Sequence, residues 1–327
     1  MASGKQLMAM IRSHAAGDGD RFLSIAETIA ADAERAGHRR IANEIRSLVE
    51  AVRDEQDERR PASRPIPIAA PRGELAGLLR VAYPETRLSD VVLGGGLEDR
   101  LIQIVREHRE RATLARHGIS PRRKLLLSGP PGTGKSMTAS ALAGELGLPL
   151  FTVMLDGVIT KYLGETAAKL RLVFDAMKHA RGVYFFDEVD ALATRRGAEN
   201  DIGEARRMLN SFLQFLDEDD STSIVIAATN HRELLDRAIF RRFDAAIAYG
   251  MPSPGHVRRI VAGRLPQFAL DGIRWDEVEA KAANLSQADI VAAADDAART
   301  AVLDADGALA TDHLIWSFLD RSAADAN

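Results

Sequence analysis

Cysteine is absent from the sequence, which excludes disulfides, thiolate nucleophiles and cysteine-ligated zinc or iron–sulfur centres. Long hydrophobic runs are missing too. No stretch approaches the ~20 apolar residues of a membrane span, and the amino terminus has no continuous apolar segment of the signal-peptide kind. Neither sign of charge dominates: the net charge is −4. That value disfavours a protein organised around nucleic-acid contacts, although a local basic patch fits inside a near-neutral total. The eight histidines form no metal-spaced cluster. His14, His38, His108 and His117 are scattered and read as surface or cap residues rather than ligands. No zinc-binding His-Glu-x-x-His occurs, so neither a zinc nor a cysteine protease site is encoded. A soluble, cytoplasmic protein is the economical expectation.

What is present is ordinary in bulk: 46% hydrophobic and 28% charged residues over 327 positions, enough for two or three units with real cores. Residues 1–56 read as an all-helical domain. Phe22, Ile25, Ala26, Ile29 and Ala33 form one apolar stripe, and Ile41, Ile45, Leu48 and Val52 form a second, both at helical spacing. This unit either packs on the main body or docks a partner or client. Residues 57–72 are a linker: Pro61, Pro65, Pro67 and Pro71 forbid continuous helix and favour an extended tether.

From residue 73 the pattern alternates strand, loop and helix. Leu125–Leu127, Phe151–Met154, Val183–Phe186 and Ile224–Ala228 are short apolar runs of the kind that form buried parallel strands with crossover helices. The β-rich pattern ends at Met251, and helices follow, among them Gln287–Val302 and Thr311–Leu319. The expected fold class is therefore α/β, a parallel-sheet domain over 73–251 followed by a helical lid over 252–327.

The segment Gly129-Pro130-Pro131-Gly132-Thr133-Gly134-Lys135-Ser136 follows the first of those strands. It is a complete phosphate-binding loop in its proper setting, with glycines that let backbone N–H groups converge on phosphate oxygens. Lys135 can reach the β/γ-phosphates, and Ser136 can hold Mg²⁺. Val183–Phe186 ends in two carboxylates: Asp187 can join the Mg²⁺ shell, and Glu188 can orient and polarise an attacking water. The strand Ile224–Ala228 leads to Asn230, whose amide either senses the γ-phosphate or caps the following turn.

With these motifs together, the chain from about Asp90 to Arg321 resembles a classical-clade AAA ATPase of the AAA+ superfamily, closest in motif style to katanin- and spastin-like, meiotic-clade remodellers. The loop, Asp187/Glu188 and Asn230 match that family's Walker A, Walker B and first sensor elements. Val92-Leu93-Gly94-Gly95-Gly96-Leu97 resembles the segment whose backbone contacts adenine. The resemblance extends the nucleotide-contacting set to Val92, Leu93, Gly94, Pro131, Gly132, Thr133, Gly134, Met137 and Ala288. Lys161-Tyr162-Leu163 resembles the pore loop that grips a polypeptide, and Arg195–Asp201 falls where a second pore loop lies. Leu235–Asp244 matches the arginine-finger stretch and implies that Arg241 and Arg242 reach a neighbouring subunit's γ-phosphate. One departure stands out. Leu285-Ser286-Gln287-Ala288-Asp289-Ile290 resembles the family's Ser-Gly-Ala-Asp-Leu segment with Gln287 in place of glycine, which puts the details of adenine recognition or lid closure in question.

The resemblance implies an ATP- and Mg²⁺-dependent hydrolase acting as a homo-oligomer, a hexamer by family habit, on a protein client. A separate protease or adaptor is left open as a partner. Two alternatives come from other classes: a nucleic-acid-associated motor or loader, and an ATP-switched scaffold. The acidic total disfavours the first, and the intact Glu188, Asn230 and Arg241/Arg242 disfavour the second.

Overall fold

The computed structural model describes residues 73–159, 163–192, 201–235, 237–304 and 306–325, with Thr28, Ile29, Ala30, Asn43, Ser47 and Pro71. The chain divides into two compact units, Met1–Arg64 and Pro65–Asn327. All elements below belong to the second. The helical domain expected over 1–56 and the tether over 57–72 lie outside the described residues, save those few positions.

Six strands form one sheet: β1 (Leu79–Ala82), β2 (Lys124–Ser128), β3 (Leu150–Val153), β4 (Val183–Phe186), β5 (Ile224–Thr229) and β6 (Ala245–Ala248). Their spatial order is β1-β3-β4-β5-β2-β6. The four apolar runs of the sequence are the contiguous centre of this sheet. All four residues of β4 and all six of β5 are buried, as continuous runs require when helices cover both faces. The strand expected over Phe151–Met154 is shifted by one residue, to Leu150–Val153. The four expected strands pair in parallel; at one edge β1 runs antiparallel to β3, with Leu79 opposite Val153 and Ala82 opposite Leu150. Both edge strands escaped the sequence reading. Their burial alternates or fades; β1 is broken by Arg80, and β6 is mostly alanine, a residue depleted in strands.

Helices named below are α1 (Leu97–Arg109), α2 (Lys135–Leu146), α3 (Leu163–His179), α4 (Asp201–Glu218), α5 (Pro254–Arg264), α6 (Trp275–Lys281), α7 (Gln287–Asp304) and α8 (Thr311–Asp325). The period of two along each strand sends alternate side chains to opposite layers. Leu126, Phe151, Tyr184, Phe186 and Val225 pack with Phe174 of α3 and Phe212 of α4. Leu125, Leu127, Phe185, Ile224 and Ile226 pack with Leu101 and Ile104 of α1 and Leu142 of α2. The few aromatics are concentrated in the first layer. The Phe174 ring lies within 6 Å of the rings of Phe186, Phe212 and Phe215, and Phe151 stacks on Tyr184 at 4.5 Å. His108 is not a surface residue as expected. It continues the inward face of Leu101, Ile104 and Val105, is buried, and donates from Nε2 to the Arg122 carbonyl at 2.7 Å. Burial holds its pKa below the usual histidine value. His117, at the end of a short helix, is exposed as expected.

The helical part after residue 253 has its own core, Val257, Ile260, Val261, Leu265 and Val278 with Leu314 and Phe318. Ile290, Ala293, Ala294, Ala297 and Ala301 form the buried face of α7, and this small-residue stripe lets α7 and α8 approach closely. Both helices outrun the sequence expectation, ending at Asp304 and Asp325 rather than Val302 and Leu319. Among the described residues no helix is long and apolar enough to cross a membrane.

Candidate nucleotide-binding site

Parallel pairing brings three polar strand ends to one rim. Ser128 pairs with Thr229 across β2 and β5, and Phe186 pairs with Ala227 across β4 and β5. The loop after β2, Asn230 after β5 and Asp187/Glu188 after β4 therefore emerge side by side at the carboxyl ends. Open α/β sheets bind ligands at this rim.

The loop is held from behind. The Gly129 N–H donates to the Thr229 carbonyl at 3.2 Å, and Tyr249 N–H donates to the Ser128 carbonyl at 2.7 Å. A Cβ on Gly129 would lie 2.4 Å from the Tyr249 carbonyl oxygen, so backbone packing there requires glycine. Gly132 has φ 71°, and a Cβ on it would lie 2.3 Å from Ser286 Oγ. That position needs glycine for both conformation and space. Thr133 Oγ1 donates to the Pro130 carbonyl at 2.8 Å. Beneath the loop, the buried Tyr249 hydroxyl donates to Thr138 Oγ1 at 2.7 Å, and burial pushes its pKa up to about 12.

Lys135 opens α2 and is buried, with Nζ donating to the carbonyls of Gly129 at 2.8 Å and Pro130 at 2.7 Å. Burial pulls its pKa below the ordinary lysine value, against the opposing fields of Asp187, Asp190 and Glu188. Ser136 Oγ donates to Asp187 Oδ2 at 3.1 Å. Glu188 is exposed and takes φ 51°, in the left-handed region where a non-glycine residue is strained by roughly 1–3 kcal/mol. Its N–H donates to Asp187 Oδ1 at 3.0 Å, a bond that holds the Asp187 carboxylate against the Glu188 backbone.

Beside the loop lies a cavity of about 270 Å³ with apolar walls from Val92, Leu93, Leu97, Met251 and Pro252. Its polar side chains are Thr133, Tyr249, His256 and Gln287. The lid reaches the loop directly, because the Ala288 N–H donates to the Gly132 carbonyl at 3.0 Å.

Comparison with known proteins gives the same answer as this geometry. Residues 125–251 match the family described as "ATPase family associated with various cellular activities (AAA)". An uncharacterized AAA family ATPase of Sinorhizobium fredii, y4kL, is 34% identical over 290 residues, covering 85% of this chain and 87% of its own. The chain belongs to the AAA ATPase family. It is an ATP-hydrolysing enzyme. ATP-dependent zinc metalloprotease FtsH 3 of Sphaerobacter thermophilus is 35% identical over 227 residues, covering 67% of this chain but only 46% of that protein. The crystal structure of the FIGL-1 AAA domain superposes with TM-score 0.59 at 25% identity, over 76% of this chain and 89% of that one.

In this AAA ATPase the residues expected to bind nucleotide fall into two neighbouring groups. Val92, Leu93, Gly94 and Thr133 line the cavity, while Lys135, Ser136, Asp187 and Glu188 gather at the loop and its facing strand end. Pro131 and Met137 are exposed beside the loop, and Asn230 is half-buried. Arg241 and Arg242 are at the far end of the sheet from the loop. Lys161 and Tyr162 lie outside the described residues, as do positions 195–200, and Leu163 is the first residue of α3. The sequence reading missed Tyr249 and His256 as parts of the site. Neither carries a local motif; both arrive through the turn after β6.

Proposed function

We propose that this AAA ATPase works as a homo-oligomeric ring, hexameric by family expectation, in which each subunit completes its neighbour's site and hydrolysis remodels, unfolds or threads a protein client. The observation carrying this reading is the position of Arg241 and Arg242. They precede β6 at its amino end, and β6 runs parallel to β2, with Ala245 opposite Leu125 and Ala248 opposite Ser128. Asp244 accepts from the Arg123 and Lys124 N–H groups at the same end. At ~3.3 Å per residue, the strand alone puts this end roughly 13 Å from the loop. A finger acting on its own subunit's phosphate is out of reach, which supports action of the pair on another subunit. An always-charged guanidinium stabilises charge developing in phosphoryl transfer, and supplying it in trans makes hydrolysis depend on assembly.

The two arginines are not equivalent. Arg242 pairs with Asp217 and donates to the Leu213 carbonyl at 3.3 Å, whereas Arg241 is exposed. Arg241 is the finger in this reading, and Arg242 positions it. Within a site, Lys135 exchanges its two carbonyl partners for β/γ-phosphate oxygens, Glu188 orients and polarises the water, and Asn230 donates to the γ-phosphate. The adjacent hydroxyl of Ser136 and carboxylate of Asp187 are hard oxygen donors of the kind Mg²⁺ takes. When bound there, Mg²⁺ supplies charge neutralisation on the terminal phosphates.

Arg241→Ala should keep ATP affinity and lower kcat about 10²-fold, while Arg242→Ala should cost less than tenfold. Arg241→Ala subunits retain their own loop and carboxylates, and Lys135→Ala subunits retain fingers. Mixing the two should therefore restore phosphate release well above their sum. Full activity of Arg241→Ala alone would sink the finger assignment, and an unchanged monomer by light scattering in ATP would sink the ring.

The client belongs to the finer part of the reading. Relatives named ATP-dependent proteases support action on protein, but among the described residues no group of three or more His, Cys, Asp or Glu could hold a metal. Any coupled peptide cleavage would fall to a separate protease, with an adaptor or the 1–56 unit docking the client and residues 57–72 as its tether. Tyr162 offers an extended chain rigid apolar contact without demanding a sequence. Tyr162→Ala should leave basal ATPase and assembly within about twofold of wild type and abolish stimulation by unfolded casein; retained stimulation would refute threading.

A further inference from the structure

Gln287 stands where the family pattern has glycine, and the structure gives its side chain an address. It opens α7, retains only 8% exposure, and lines the cavity beside the phosphate loop. A Cβ built on Gly134 would lie 2.9 Å from Gln287 Oε1 and 3.8 Å from Val91 Cγ1. The carboxamide thus sits at the joint between the loop and the segment leading into Val92–Gly95. Three of the cavity's four polar side chains already have partners. Thr133 Oγ1 bonds Pro130, the Tyr249 hydroxyl bonds Thr138, and His256 Nδ1 meets Ser253 N and Oγ at 3.2 and 3.0 Å. Among the described residues, the Gln287 carboxamide makes no hydrogen bond. Neither of its amide atoms is among the buried polar atoms left without a partner, so the carboxamide opens onto the cavity, where a ligand can take its donor and its acceptor together.

We propose that Gln287 hydrogen-bonds the nucleoside half of the bound nucleotide, giving the lid a nucleotide contact that glycine could not make. The inference rests on reading this cavity as the nucleoside site. Two features point to the nucleoside rather than the phosphates. Val92, Leu93, Leu97, Ala248, Met251 and Pro252 give the cavity an apolar side against which a base can lie, and Lys135, Ser136 and Asp187, the phosphate and metal side of the site, do not line the cavity. A carboxamide carries a donor and an acceptor in one plane, a match for either the amino edge of adenine or the ribose hydroxyls. Because the Ala288 N–H next to it already bonds Gly132, the contact joins nucleotide, loop and lid at one point. Gln287 becomes a specificity-determining residue of the lid.

The test is calorimetric titration of the full chain and of Gln287→Leu and Gln287→Gly with ATP, 2′-deoxy-ATP, purine riboside triphosphate and inorganic tripolyphosphate. Gln287→Leu should bind ATP about tenfold more weakly and tripolyphosphate as wild type does. Whichever analogue lacks the contacted group should lose its penalty in the variant: the purine riboside nucleotide if the contact is to the base, the deoxy nucleotide if to the ribose. ATP affinity within twofold of wild type in both variants overturns the proposal. So does an equal loss for tripolyphosphate, or a loss in which neither analogue's penalty changes. Should the leucine variant fail to fold, the glycine variant, with the family's own residue, decides alone. Failure of the unaltered chain to bind ATP would instead overturn the nucleotide reading itself.

Discussion

Glu188→Gln is expected to lower kcat by roughly 10²–10⁴-fold while leaving ATP affinity near wild type. The substitution is isosteric, and the amide can still fill the space of the carboxylate. It cannot polarise water or accept a proton as a carboxylate does. The backbone geometry should survive, because the left-handed φ of 51° is secured by bonds the side chain does not make. These are the Glu188 N–H to Asp187 Oδ1 at 3.0 Å and the Ala191 N–H to the Glu188 carbonyl at 2.8 Å. Steady-state phosphate release beside calorimetric ATP titration separates the two effects. In the ring proposed above, ATP would persist at the subunit boundaries, and light scattering in ATP should then report a larger and longer-lived species. A kcat loss below tenfold would place the water-activating group elsewhere.

Lys135→Ala should weaken ATP binding on the order of 10²–10³-fold, the cost of removing one partner of a buried, hydrogen-bonded charge contact. Without ligand, Lys135 Nζ is held by the Gly129 and Pro130 carbonyls, so the ammonium is already placed at the loop. Its low exposure means that no water-solvated charge takes over when it is deleted. Calorimetry with ATP measures the loss, and a thermal-unfolding control separates it from damage to the loop. Affinity within threefold of wild type would show that the loop does not hold the triphosphate.

Much of this site was legible because its signals are local. The loop motif, the apolar runs before Gly129 and Asp187, and Asn230 after β5 each occupy a few consecutive residues, and each run proved to be a central strand. The edges were not legible. β1 is a four-residue strand whose antiparallel partner, β3, lies about 70 positions away, and β6 has an alanine-rich sequence typical of many contexts. The inward turn of His108 was missed for a related reason: its place on the Leu101–Ile104–Val105 face matters only once that face is known to pack inward.

The sequence by itself determined the class of the protein, its glycine-rich loop after β2, its pair of strand-end carboxylates and its ATPase identity, since each rests on residue types at short, fixed spacing. Tertiary structure decided which groups meet. Parallel pairing of β2 with β6 put Arg241 and Arg242 at the rim opposite the loop. The Asp217 contact set Arg242 apart from Arg241. The fold of the lid brought Gln287, more than 150 residues downstream, against Gly134. Such meetings depend on strand order and helix packing summed over the whole domain, and no short window of sequence contains them.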